Sequence, residues 1–208
     1  MRQHRKTERK QMTEKKLHNI TIEKLIAEAE NFGIENKSDL VSYPEFIKYF
    51  SSINKIDKHN LIIGINFTYG WMPTIFDFKT NEIYKNIDLA VEILNRAKNG
   101  SNLKINDYEH LKRLLNNSLV GTTKLLHFIN PEKFAIWDSR VFWFLHKEEP
   151  YDYRIGNIQN YLEYQELLEN LSKDEKFKHF FDLVSSKLEY KPTNFRALEL
   201  IMFIKGKK

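Results

Sequence analysis

The sequence predicts an all-α fold: a single compact domain of about nine or ten short helices that follows a basic N-terminal tail. Apolar residues recur at helical spacing through most of the chain, capping residues and glycines bound many of those stretches, and no internal repeat or interior linker divides them. With 208 residues, 41% of them apolar, the chain can bury a substantial core. We assign residues 1–16 to the tail, which we expect to be disordered, and residues 17–208 to the helical domain.

Four helices are predicted in the first half of the domain. Thr21 caps the first helix, which carries Glu23 in its first turn. Pro44 suits the first turn of the second helix, and Pro73 ends the third, which has no charged residue. Residues 74–84 alternate apolar and polar side chains, so a short strand and an irregular extended segment both stay open. The four predicted ranges are Thr21–Gly33, Pro44–Ile53, Leu61–Gly70 and Ile87–Gly100.

Six more helices are predicted in the second half. Asn106 caps the first of them, with the spacing of a capping box to Glu109. The segment NPEKFAIW is a loop broken by a proline, and it separates the second of these helices from the third. The six predicted ranges are Asn106–Asn117, Thr122–Ile129, Ser139–Lys147, Ile158–Leu171, Lys173–Leu188 and Thr193–Gly206.

The net charge of +5 is concentrated at the N-terminus. Residues 1–16 carry seven Lys or Arg against two Glu, and the rest of the chain has equal numbers of basic and acidic residues. A basic tail of this kind adds counterion-release affinity for nucleic acid, or serves only to keep the protein soluble. Because the body is neutral, any nucleic-acid binding there must come from a local patch.

Composition and motifs exclude several classes of protein and site. The chain has no cysteine, so disulfides and thiolate zinc sites are excluded, and no signal peptide or membrane span is expected. We therefore expect a cytoplasmic protein, associated with the nucleoid if it is prokaryotic. The glycines form no phosphate-binding loop, the histidines show no metal-ligand spacing, and neither a metal nor a cofactor is expected.

The segment that calls for a functional explanation runs from Asn117 to Leu145, NSLVGTTKLLHFINPEKFAIWDSRVFWFL. It contains a tight turn with a glycine, an apolar helix, the proline loop, an aspartate and an aromatic helix. Amides in such a turn, and at the N-terminus of the helix after it, donate to a nucleic-acid phosphate, and the helix dipole favours the anion. The pattern predicts a helix-hairpin-helix that binds a nucleic-acid backbone.

The sequences VGTTK and IWD, with the apolar helix and proline loop between them, resemble the signature of the helix-hairpin-helix DNA glycosylases, in particular the branch of 8-oxoguanine DNA glycosylases. The resemblance covers the unit at about residues 106–147. It implies an all-α enzyme, with its active site between two helical subdomains, that excises a damaged or modified base flipped out of double-stranded DNA. It implies that Gly121 is the hairpin glycine, that Lys124 attacks the sugar C1′ to form a Schiff base, and that Asp138 stabilises the developing positive charge.

The two charged residues also make chemical sense without the resemblance. Lysine is protonated at neutral pH, with an ordinary pKa of about 10.4, so its attack on a sugar carbon requires surroundings that favour the neutral amine. Lys124 is flanked by Leu125 and Leu126. Asp138 precedes the aromatic helix, where an N-cap contributes about 1 kcal/mol and holds a carboxylate rigid. Capping and catalysis are compatible, and both roles stay open.

The other predicted site residues form two sets, for which surface charge and core packing are the ordinary alternatives. The residues expected to contact the DNA backbone are Val120, Gly121, Thr122, Thr123 and Arg140. A flipped base needs aromatic stacking partners, and the residues expected to provide them are Trp71, Trp137 and Tyr69.

Three functions follow in order of preference. The first is a DNA glycosylase, with AP lyase activity if Lys124 points into the pocket. The second is a non-catalytic helix-hairpin-helix nucleic-acid-binding protein. The third is a helical protein-interaction domain.

Overall fold

The structure of the protein is a computed structural model that describes residues 20–33, 37–72, 74–78 and 80–206. Within these ranges the chain forms eleven helices and no strand, which confirms the all-α prediction. The tail predicted at residues 1–16 lies outside the described residues. The helices are α1 (Ile22–Glu30), α2 (Lys37–Ser51), α3 (Lys58–Trp71), α4 (Thr80–Lys98), α5 (Ile105–Leu114), α6 (Leu119–Ile129), α7 (Ser139–His146), α8 (Asp152–Ile155), α9 (Ile158–Leu171), α10 (Phe177–Ser185) and α11 (Asn194–Lys205).

Side-chain caps begin several helices at or next to the predicted helix starts. Thr21 caps α1, and Thr193 caps α11 by accepting the N–H of Arg196 at 3.2 Å. Asp138 caps α7, so the aromatic helix begins at the predicted residue. These caps satisfy N–H groups that the first helical turn leaves without a partner, and they set the helix starts locally.

Helix α2 begins earlier than predicted. It starts at Lys37, so Pro44 lies inside the helix and not in its first turn. A proline inside a helix removes one backbone hydrogen bond. Tyr43, in the added stretch, is buried and its hydroxyl bonds to His127. We infer that such tertiary contacts outweigh the local cost of the proline.

The structure decides between the two alternatives left open for the alternating segment and corrects one predicted cap. The segment is not a strand, because residues 74–78 have no regular structure and α4 already begins at Thr80. A strand there would lack a partner for its backbone groups within the described chain. At the start of α5, Asn106 is not the cap and Glu109 is not its partner. The Asp107 carboxylate accepts the N–H of Lys104 at 2.8 Å instead.

Helix α6 lies at the centre of the fold. Its residues from Gly121 to Ile129 are all buried, and it packs against α2, α3, α4 and α5. Helices α1, α7, α10 and α11 form a second group, and α9 contacts both α11 and α5. The loop between α6 and α7 joins the two groups, so side chains at the ends of this loop lie where the groups meet.

Candidate active site

A cleft of about 1140 Å³ opens between the two groups of helices. One wall comes from α2 and the end of α3, including Phe46 and Trp71, and the facing wall comes from α11, including Phe203. Four charged residues in the lining are almost fully buried, and we call them the cleft floor: Lys124, Asp138, Arg196 and Glu199.

Lys124 and Asp138 come together at the cleft floor. The Lys124 Nζ lies 4.0 Å from Asp138 Oδ2, and each side chain is 10% exposed. The other oxygen, Asp138 Oδ1, accepts the N–H groups of Arg140 at 2.8 Å and Val141 at 3.2 Å. The carboxylate therefore caps α7 with one oxygen while it faces the lysine with the other. Capping and charge pairing occur together.

Trp71 is the predicted pocket aromatic that lines the cleft. It is half-buried at the end of α3, and the Lys124 Nζ lies 5.1 Å from its ring centroid. Phe128 packs edge-on against the same ring, with the centroids 5.3 Å apart. The indole is thus fixed from the core side beside the lysine that the sequence singles out.

The other two predicted pocket aromatics belong to the core, so their assignment to a base pocket is wrong. Trp137 is completely buried, and its Nε1 donates to the carbonyl of Ile155 at 2.9 Å. Tyr69 is 4% exposed, and its hydroxyl donates to the carbonyl of Leu115 at 2.6 Å. Burial raises the pKa of Tyr69 to about 12. Large aromatics contribute most when fully buried, and these two serve the packing around α6.

The hairpin before α6 is built differently from the predicted one. Its turn has Asn116 and Asn117 at positive φ, 53° and 59°, and Gly121 lies inside the first turn of the helix. Asparagine adopts the left-handed conformation more readily than most residues. A Cβ at Gly121 would approach the Tyr69 hydroxyl to 3.2 Å, so the glycine makes room for close packing.

Three of the five residues predicted to bind the DNA backbone are turned inward. The Gly121 N–H donates to Ser118 Oγ at 3.0 Å, and the Thr122 hydroxyl donates to the Ser118 carbonyl at 2.8 Å. The Thr123 hydroxyl accepts the N–H of Trp137 at 3.2 Å. All three residues are buried, and the amides of Gly121 and Thr122, which were expected to donate to a phosphate, already bond to Ser118. These groups tie the start of α6 to its own turn and to the proline loop.

Val120 and Arg140, the other two, line the cleft. Val120 is half-buried, while Arg140 is exposed and its guanidinium lies 4.6 Å from the ring centroid of Phe203. Arg140 stands directly after the capped start of α7 and is a cation beside the opening of the cleft.

The sequence reasoning missed Arg196 and Glu199. They form an ion pair across one turn of α11, with a short hydrogen bond from Arg196 Nη1 to Glu199 Oε2, and are 4% and 1% exposed. Burial and the nearby Asp138 raise the pKa of Glu199 to about 7, although Arg196 lowers it. Two charges three residues apart in the apolar segment FRALELIMFI were a signal that could have found them.

A hydrogen-bonded histidine supports the wall of the cleft behind Arg196. The carbonyl of Phe134 can only accept, so His127 Nδ1–H donates to it at 2.6 Å, and Nε2 accepts from the Tyr43 hydroxyl at 2.8 Å. Burial lowers the pKa of His127 to about 3. The Tyr43 ring in turn faces the Arg196 guanidinium, 4.6 Å from its centroid.

The described part of the chain contains no group of three or more His, Asp or Glu side chains placed to hold a metal ion. None of its helices combines the length and the apolar character needed to cross a bilayer. Comparison of the chain with models of protein families, with curated proteins and with solved structures found no match.

Proposed function

We propose that the protein is a DNA glycosylase with AP lyase activity, which excises a damaged or modified base from double-stranded DNA. The observation that carries the proposal is the meeting of Lys124 and Asp138 at the cleft floor, 4.0 Å apart. The resemblance of the hairpin, proline loop and IWD to the glycosylase signature names the same two residues. Burial of both side chains gives that pair a protected, weakly screened environment.

In this proposal Lys124 is the nucleophile. Its neutral amine attacks C1′ of the flipped nucleotide, the bond from C1′ to the base breaks, and a Schiff base forms after loss of the base. Asp138 stabilises the positive charge that develops at the sugar. The two N–H groups that bind Asp138 Oδ1 keep the carboxylate in place, so no reorganisation is needed when that charge appears.

The cleft suits an extrahelical nucleotide. Its volume of about 1140 Å³ is comparable with the upper end of ligand sites, about 1,000 Å³. Trp71 offers an aromatic surface next to Lys124, and Arg140 offers a cation near the opening for a DNA phosphate. A binding module that uses only the hairpin is less well supported, because the amide of Gly121 and the hydroxyl of Thr122 already bond to Ser118.

Borohydride trapping tests the proposal. Wild-type protein, Lys124→Gln and Asp138→Asn are incubated with duplexes that contain 8-oxoguanine, uracil or an abasic site, and covalent adducts and released base are measured. We expect a wild-type adduct that is lost in Lys124→Gln and strongly reduced in Asp138→Asn. Base release without an adduct would leave a monofunctional glycosylase, and binding without either would favour a non-catalytic DNA-binding protein.

The matched control is Lys112→Gln. The Lys112 side chain is 14% exposed and its Nζ donates to the carbonyl of Gly156 at 3.0 Å, away from the cleft lining. It therefore reproduces the loss of a largely buried lysine without touching the cleft floor. Loss of the adduct in this variant as well would mean that the effect of Lys124→Gln is one of stability.

A further inference from the structure

We propose that Glu199 is a third catalytic group of the cleft floor: its carboxylate accepts the proton that Lys124 loses before the amine attacks the sugar. The inference rests on the proposed function. It assigns a role to a residue outside the motif that suggested that function, on a helix near the opposite end of the chain.

Glu199 is placed for this role by the packing of α11 against the rest of the cleft. It lines the same cleft as Lys124 and Asp138 and is only 1% exposed. Both neighbours lie near enough for their charges to act on it, Asp138 raising its pKa and Lys124 lowering it. A general base works best when its pKa lies near the working pH, and burial brings that of Glu199 to about 7.

The two carboxylates of the floor have different surroundings, which suits a division of roles. Asp138 is bound through Oδ1 to two backbone N–H groups of α7, where it is held to stabilise positive charge. Glu199 is bound by the side chain of Arg196 instead. A carboxyl group whose pKa lies near neutral pH can take up a proton and return it within one catalytic cycle.

Stability alone is a weak explanation for the buried Arg196–Glu199 pair. Removing two charges from water is costly, and apolar residues of similar volume often replace such pairs without loss of stability. Most of the other residues of α11 are apolar, so an apolar pair would fit the pattern of the helix. The charges face the cleft, next to the other charged pair of the floor.

Charged and titratable groups from several elements act on the Arg196–Glu199 pair. Arg196 and Lys124 lower the pKa of Glu199, whereas Asp138 raises it. Three tyrosines complete the surroundings: Tyr43 of α2, Tyr164 of α9 and Tyr190 before α11. Burial holds the pKa of Tyr43 and Tyr164 above the ordinary value, so Glu199 is the group expected to exchange a proton near pH 7.

The proton that Lys124 loses passes through Glu199 to the group that takes up the displaced electrons. A proton leaves the Lys124 ammonium for Glu199, and the freed nitrogen electron pair forms the bond to C1′. On a base-bearing nucleotide, the electrons of the bond from C1′ to the base leave with the base, which takes the proton from Glu199. On an abasic site, the π electrons of the C1′ carbonyl move onto its oxygen, which takes the proton from Glu199. That oxygen then leaves as water with a second proton from the attached nitrogen, which gives the Schiff base that borohydride reduces. Glu199 is a carboxylate again in both cases, and no oxidant or cofactor is needed.

A duplex with an abasic site tests the inference, because it requires no knowledge of the excised base. Single-turnover rates of borohydride trapping are measured on both sides of pH 7. We expect the wild-type rate to rise through about pH 7 and then level off, as Glu199 ionises. In Glu199→Gln we expect a rate about 100-fold lower at pH 8, without that plateau, because the lysine must lose its proton to solvent.

Two further variants separate catalysis from folding. Arg196→Met combined with Glu199→Gln removes both buried charges, so the double variant is expected to fold and to trap as slowly as Glu199→Gln. Recovery of the wild-type rate in the double variant would overturn the inference, since Glu199 would then only neutralise Arg196. Asp107→Asn, in the Arg96 ion pair outside the cleft, is the matched control and should leave rate and pH profile unchanged.

The failure of this inference can be distinguished from the failure of the proposed function. A wild-type adduct that depends on Lys124, with an unchanged rate and pH profile in Glu199→Gln, overturns the role of Glu199 and leaves the glycosylase proposal intact. No wild-type adduct on the abasic duplex overturns the attack by Lys124 and this inference with it. Base release from a lesion duplex then shows whether glycosylase activity survives.

Discussion

In two arginine–carboxylate pairs of this protein, the pKa of the carboxyl group shifts in opposite directions. Arg96 of α4 pairs with Asp107 of α5 at 2.6 Å near the surface, where the arginine side chain is 36% exposed. The pKa of Asp107 is lowered, because Arg96 and the N–H of Lys104 outweigh the effect of burial. Glu199 is likewise paired with Arg196, yet its pKa is raised to about 7 by burial.

Both carboxyl groups have an arginine partner, so the extent to which water is removed from the pair decides the direction of the pKa shift. At the surface, solvent keeps the carboxylate charged and the pair serves as a link between α4 and α5. At the cleft floor, desolvation and the charge of Asp138 outweigh the favourable charges of Arg196 and Lys124, so the pKa of Glu199 is raised. A carboxyl group that titrates near pH 7 in a cleft is typical of a functional site.

Replacing the arginine of each pair should give the largest difference in stability loss between the two pairs. In Arg196→Met, Glu199 becomes a buried charge without its counterion, so we expect the free energy of unfolding to fall by about 4 kcal/mol at pH 8. In Arg96→Met we expect a loss below about 1 kcal/mol. Urea unfolding of both variants measures this. Equal losses would mean that burial does not distinguish the pairs.

The loss of stability caused by replacing the arginine should depend on pH for only one of the two pairs. Without Arg196 the pKa of Glu199 should rise further, so Glu199 is protonated in the variant at a pH where it is still charged in wild type. The loss caused by Arg196→Met should therefore shrink as the pH falls from about 9 towards 7. The Arg96→Met loss should stay constant over this range, because the pKa of Asp107 is already low. A pH-independent loss in Arg196→Met would show that Glu199 does not titrate there.

His127 is a buried titratable group whose two ring nitrogens bond to the carbonyl of Phe134 and the hydroxyl of Tyr43. The folded protein keeps it neutral with a pKa of about 3, whereas the unfolded chain binds a proton near pH 6.5. Its contribution to stability is therefore complete above pH 6.5 and is lost as the pH falls, by about 1.4 kcal/mol per unit. The measurement is the stability difference between wild type and His127→Gln at pH 7 and pH 5, in which other titrations cancel. An unchanged difference contradicts the assignment.

Replacing the cleft lysine should cost stability as well as activity. In Lys124→Met the buried Asp138 carboxylate loses the ammonium 4.0 Å away, so we expect the free energy of unfolding to fall by about 2 kcal/mol. The loss should be smaller than in Arg196→Met because two backbone N–H groups still bind Asp138. Lys112→Met, which loses the bond to Gly156, should cost about 1 kcal/mol and leave trapping unchanged. Thermal melts and trapping assays check both variants. An unchanged stability in Lys124→Met would show that the lysine does not stabilise Asp138.

The smallest expected effect separates the two roles of Asp138. Both Asp138→Asn and Asp138→Ala remove the charge that faces Lys124, so that loss cancels when the two variants are compared. Asparagine is also a good N-cap, so Asp138→Asn should be more stable than Asp138→Ala by about 1 kcal/mol. Both variants are expected to lose base release, because both lack the charge. A fully active Asp138→Asn would reduce the residue to a helix cap.

Local signals in the sequence account for most of the helices and for part of the site. Caps such as Thr193 and Asp138 lie next to the groups they satisfy, so helix starts at these positions were predictable. The pairing of Lys124 with Asp138 was foreseen from the motif, and Trp71 from its place at the end of an apolar helix. The early start of α2 was not, because the contacts of Tyr43 come from residues distant in the chain.

The all-α class and caps such as Thr21 and Asp138 depend on neighbours a few residues apart, so they were predictable from the sequence, as was the choice of Lys124 and Asp138 as candidate charges. Which polar groups line a cleft depends on how distant helices pack. That packing turned Thr122, Thr123, Trp137 and Tyr69 into the core and brought Arg196 and Glu199 beside Lys124. The physical reason is desolvation: whether a side chain serves packing or chemistry depends on which distant helices exclude water from it.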